Sequence, residues 1–102
     1  MPARYDNTHQ ALDISIGRIL QMYLNDDVDQ GNAQLDLVKF FDAPKNTVPP
    51  SDIQDFVHSI LNEAKTGLID ASDARTELVR ASVAAHEADL ELAAIIQHHW
   101  NR

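Results

Sequence analysis

Histidine and carboxylate are the side chains in this chain whose types invite chemistry, so their spacing comes first. The 102 residues contain five histidines, sixteen acids and no cysteine. Thiolate nucleophiles, disulfides and cysteine-ligated metals are thereby excluded. His86-Glu87 opens an H-E-x-x-H zinc pattern, but its fifth residue is Leu90, and the second imidazole is missing. His98 and His99 adjoin, and on a helix they point about 100° apart, too divergent to chelate together. Asp55 and His58 have the spacing of one limb of a carboxylate-bridged di-metal site. Such a site needs matching limbs on other helices, and the sequence offers none.

The segment Asp26-Asp27-Val28-Asp29-Gln30-Gly31 begins like a calcium loop. With Gly31 in the sixth place, Val28, Gln30 and Leu37 stand where two ligands and a bidentate Glu belong. The register set by Gly67 fails at Ala64 and Ile69, so that stretch reads as punctuation between helices. Ser15, Ser51, Ser59, Ser72 and Ser82 show no strained-elbow context, and three scattered glycines build no phosphate cradle. No catalytic residue, metal ligand or cofactor is expected. His86 interrupts an apolar stripe and reads as a boundary histidine bonded to a carboxylate. Its functional alternative is an interface switch that charges near neutral pH.

The elements that would position these residues are all helical. Leu12, Ile16, Ile19, Leu20, Tyr23 and Leu24 mark one face of a helix near 8–25, with Asn7 and Gln10 as a capping box. Gly17 inside that helix points to a close packing partner. A turn-rich stretch leads to a short helix near 33–41, ending in Phe40-Phe41. Residues 42–50, with Pro44, Pro49 and Pro50, form an extended linker.

Ser51 and Gln54 read as a second capping box for a helix over 52–66. Gly67 suits its left-handed end, Asp70 caps the next helix, and Leu68 and Ile69 tuck under the tight turn. The last helix, near 71–98, meets no Gly or Pro. Ala71, Ala74, Leu78, Ala81, Ala85, Ala88, Leu92 and Ile95 follow one another at heptad steps. A second stripe holds Val79, Val83, His86 and Leu90, and Glu77 belongs to the wet side. Such a rod is roughly 42 Å long, more than the roughly 33 Å diameter of a compact chain of this size. It therefore calls for a second chain, unless the first and third helices cover both stripes themselves.

The expected fold is all-α, one domain over 1–102, with about four helices and a C-terminal helical hairpin ending in a long helix. A formal charge of −8 and eight scattered basic residues argue against a direct nucleic-acid ligand. No apolar run is long enough to span a membrane. The first residues lack the apolar core of a signal peptide, and the expected address is the cytoplasm.

The functional expectation is a non-catalytic acidic protein that binds a protein partner and forms a homodimer. In size and charge it is similar to small helical regulators, inhibitors of the anti-activator type that occlude a partner surface. Its alternatives are a structural or adaptor subunit, and a metal-binding helical protein using His and carboxylates. The expected interface residues are Leu78, Ala81, Ala85, His86, Ala88, Leu92, Ile95 and Trp100, with Phe40 and Phe41. Asp in place of Leu92 or Ile95 should dissolve the assembly with limited loss of helicity.

Overall fold

The computed structural model describes residues 3–43, 48–87 and 89–101, with side chains over 10–43, 48–87 and 91–101. All regular structure among the described residues is helical. The helices are α1 (Ala3–Leu24), α2 (Gln30–Val38), α3 (Pro50–Thr66), α4 (Ala71–Glu87) and α5 (Asp89–Trp100). A 3-10 turn over Lys39–Phe41 continues α2. Residues 44–47, the heart of the expected proline linker, lie outside the described residues, as does Ala88.

α1 buries Ile16, Leu20 and Tyr23, with Leu12, Ile19 and Leu24 packed at their edge, which is the face the spacing marks. It starts at Ala3, so Asn7 lies within the helix and is not its cap. An ideal Cβ on Gly17 would lie 2.9 Å from Cδ of Arg75, so the bare backbone is what lets that side chain cross α1. At the far end, Lys65 Nζ donates to the Tyr23 carbonyl over 3.2 Å, pairs with Asp26 and stands 4.9 Å from the Tyr23 ring centroid. A cation at this position answers both the open carbonyls and the negative end of the helix dipole.

Asp29 starts α2, its Oδ1 accepting the Asn32 N–H at 2.8 Å. The helix therefore opens ahead of the expected Ala33. α3 begins at Pro50, where a missing N–H costs nothing. Ser51 consequently sits inside the first turn, and the Ser51–Gln54 capping box does not form. Gly67 closes α3 at φ 83°, with the Gly67 and Leu68 N–H groups donating back to Ala64 and Glu63. Asp70 Oδ1 accepts the Asp73 N–H at 2.8 Å and opens α4. Ile69 packs against the core, whereas Leu68 is 74% exposed instead of tucked under the turn.

The largest departure is the last helix. The expected rod over 71–98 is two helices, ending at Glu87 and restarting at Asp89. Glu77 and His99, which a straight helix would hold roughly 33 Å apart, have side-chain atoms 3.5 Å from each other. α5 thus folds back antiparallel along α4 and reaches α3. Burial explains the choice. A straight rod would exceed the molecule's longest dimension of 35 Å and carry Leu92, Ile95 and Ile96 into water. Folded back, these three are 0, 9 and 7% exposed. Each such burial stabilises by roughly 1.5–3 kcal/mol, while the few helical hydrogen bonds lost are worth about 1 kcal/mol net apiece.

α1 and α3 pack against α4 and bury its first stripe at Ala74, Leu78, Ala81 and Ala85, while Val79 and Val83 of the second stripe stay half-buried and His86 exposed. Ala74, Ala81, Ala84 and Ala85 let these helices approach closely around Leu78. Phe41 meets Phe56 edge-on at 6.4 Å between ring centroids, and Ile60 and Leu61 complete that part of the core. Buried Ser82 returns its hydroxyl to the Val79 carbonyl at 3.0 Å. The radius of gyration is 12.9 Å, close to the value of about 13 Å expected for a compact chain of this length.

Candidate functional site

Most of the expected interface residues are spent on the fold. Leu78, Ala81, Ala85 and Leu92 are fully buried, Phe41 nearly so, and Ile95 is 9% exposed. In the single chain these residues belong to its own core. Ala88 lies outside the described residues. Phe40 is half-buried against the core. His86 is exposed, and its Nε2–H donates to the Phe40 carbonyl over 2.9 Å, pinning α4 to the 3-10 turn through a carbonyl where a carboxylate was expected. Trp100 remains, 53% exposed.

Trp100 stands beside the most polar part of the interior. The last turn of α5 presents His98 to solvent and turns His99 inward, as adjacent positions on a helix must. Only 1% of the His99 side chain is exposed. Its Nε2 lies 2.9 Å from Ser59 Oγ and 3.9 Å from Glu63 Oε2, while Nδ1 lies 3.5 Å from Glu77 Oε1. With the ring neutral, the Ser59 hydroxyl donates to Nε2 and the Nδ1–H faces Glu77, so both nitrogens are served. The ring also meets Phe56 and Trp100 edge-on, at 5.2 and 4.9 Å between centroids. Glu77, assigned to the wet side from its spacing, is therefore a partner of the interior.

A serine–histidine–carboxylate row has the order of a hydrolytic triad, so its chemistry must be weighed. Ser59 sits in the middle of α3, where the surrounding N–H groups are committed to helical bonds. No pair of donors is left to aim at a developing oxyanion. The His99 ring, with 1% of its side chain exposed, is held between α3 and α4. Nor does the cluster suit a metal: Glu63 and Glu77 approach opposite nitrogens of the ring, and three ligands cannot converge on one point. Among the described residues no group of three candidate ligands does so. What the geometry does is clamp the end of α5 to α3 and α4.

Outside the clamp, Glu63, Leu68, Ile69, His99 and Trp100 border an open cleft of about 410 Å³. Leu68 and Trp100 are large apolar groups of its lining left in water. Neither Leu68 nor the Ser59–Glu63–Glu77 set was visible in the sequence as part of a site. Their meeting depends on the fold-back, which places residues equally far before and after position 88 side by side. Elsewhere, His58 Nδ1 lies 3.0 Å from Gln30 Nε2 and 3.2 Å from Gln34 Oε1, tying α3 to α2 on an exposed face. Compared with protein-family models, curated proteins and solved structures, the chain matches none.

Proposed function

We propose that this protein is a non-catalytic binder of another protein, a regulator or antagonist that occludes a partner's surface. Its contact is the end of the molecule where Leu68 and Trp100 flank the cleft. The observation that carries this reading is Trp100 itself, half in water yet packed edge-on against the clamped His99 ring. A tryptophan held in place gives up little conformational freedom on binding and offers a large apolar area, the character of interface anchors. Leu68, 74% exposed in the lining of the same cleft, widens the apolar contact. The net charge of −8 favours a basic partner by steering its approach, and it disfavours a phosphate backbone. Such a partner is expected in the cytoplasm, and a second copy of the chain is one candidate for it.

Photo-crosslinking in the native cell tests the surface. A crosslinking residue at Leu68 should trap a distinct protein, and the adduct should fall at least tenfold when Trp100 is also changed to Ala. The same residue placed at Ile14, an exposed apolar position on α1, should not trap it. Equal trapping from both positions, or no dependence on Trp100, refutes the assignment.

A further inference from the structure

We propose that the surface around Trp100 receives an arginine-bearing segment of the partner protein, with the guanidinium on the indole in the cleft that Trp100 shares with Asp52. This names the chemistry of the partner and rests on the protein-binding reading above. Trp100 lines two openings. One is the Leu68 cleft; the other, about 370 Å³, is bordered by Asp52, Pro49, Ile96 and Gln97 among others. Each opening joins apolar groups to one carboxylate, Glu63 in the first and Asp52 in the second, and neither is lined by a Lys or Arg among the described residues.

Elsewhere the same chain shows what such a pairing holds. Lys65 Nζ stands 4.9 Å from the Tyr23 ring centroid and pairs with Asp26. The negative face of the ring attracts the cation and the carboxylate fixes its place. Indole is the strongest of the aromatic rings in this role, and Trp100 with Asp52 offers the same combination on an open surface, both side chains being exposed.

Arginine fits this pair better than lysine. Its planar guanidinium stacks on an aromatic face, its N–H fork matches a carboxylate, and it sheds water more readily than an ammonium. A polypeptide fits better than a free small cation, because Leu68 and Ile69 in the adjoining cleft call for an apolar side chain close to the charge. The net charge of −8 supplies the complementarity at long range. A second copy of the chain would bring a further −8 to this surface, and a nucleic acid would bring phosphates.

Trp100 is the sole tryptophan of the chain, so its fluorescence reports this surface alone. The probe is a short blocked peptide, Ala-Leu-Ala-Arg-Ala, whose Leu and Arg share one side of an extended backbone. It should shift the emission saturably. A twin peptide with citrulline, the neutral isostere of arginine, should bind wild type about tenfold more weakly. In calorimetry, Asp52→Asn and Trp100→Leu should each weaken the arginine peptide about threefold, since one removes the charge and the other the ring face. Asp36→Asn removes an exposed acid that lines neither cleft and should change the affinity by less than about twofold. Arg102→Ala removes the basic residue two positions after Trp100 and should bind the peptide equally or more tightly. Equal affinity for the citrulline peptide, or no saturable binding, overturns the proposal. So does a loss in Asp36→Asn as large as in Asp52→Asn, or weaker binding by Arg102→Ala. These failures are separate from the Leu68 crosslink: a partner trapped there with dependence on Trp100 keeps the protein-binding reading, and the absence of that adduct defeats the reading on which this proposal rests.

Discussion

A histidine with 1% of its side chain in water must find partners for its ring nitrogens or cost the fold stability, and His99 finds them on two helices. Replacing it with Ala removes the contacts to Phe56 and Trp100 and the hydrogen bond to Ser59. A loss of about 2–4 kcal/mol is expected in urea unfolding. His99→Phe restores the ring packing but not the hydrogen bond to Ser59, so it should fall between wild type and His99→Ala. Equal stability for all three proteins would mean that the cluster contributes nothing. Gly17 and Gly67 should respond in different ways. Gly67 has φ 83°, with open space around an added Cβ, so Gly67→Ala costs about 1 kcal/mol through backbone strain alone. Gly17→Ala gains about 1 kcal/mol of helix propensity. Against that, the new methyl must push aside Arg75 and weaken its exposed pair with Asp13, worth at most about 1 kcal/mol. The two effects nearly cancel, and a change below about 0.5 kcal/mol is expected. A Gly17→Ala protein destabilised by more would show that Arg75 has no alternative path.

At the scale of elements, α5 decides how the fold is read. Its Leu92 is fully buried, so Leu92→Ala should cost about 2–4 kcal/mol. Leu92→Asp should abolish cooperative unfolding altogether, because it puts a charge into the core. Ile14→Ala, on the exposed side of α1, should change stability by less than about 0.5 kcal/mol. Retained helicity with only a lost assembly in Leu92→Asp, the outcome expected for a projecting rod, would contradict the fold-back. Where chemistry acts locally, the sequence was legible: Gly67 and Asp70 punctuate the α3–α4 turn, and Gly17 accepts a crossing side chain. The start of α3 was misjudged because Ser51 resembles a cap, although Pro50 can enter the first turn at no cost. The break after Glu87 carried no such mark. It arises because three large side chains find a bed on α3 and α4, a tertiary gain that no local propensity encodes. The same holds for the candidate site: His99, Ser59 and Glu77 meet only once α5 turns back, and Leu68 is exposed by the geometry of its turn.

At the scale of the whole molecule, a charge of −8 is confined within a radius of gyration of 12.9 Å. Many of its charges therefore lie within one or two Debye lengths of each other at physiological salt, where that length is about 8 Å. Two electrostatic effects compete when salt is added. Lys65 with Asp26, Arg75 with Asp13 and Lys39 with Asp36 are attractive pairs, but each is largely exposed. Exposed pairs contribute at most about 1 kcal/mol and are themselves screened. The repulsion among the excess acids acts across the entire surface and is relieved in the expanded unfolded chain. Repulsion should win, so thermal unfolding followed by circular dichroism should shift upward by a few degrees as sodium chloride is raised. For a domain of this size a change of about 1 kcal/mol moves Tm by roughly 4–8 °C, so the effect is within reach of measurement. A Tm that falls with salt would mean that the three local pairs outweigh the global charge, and that the acidity is organised into the fold instead of held at its surface for a basic partner.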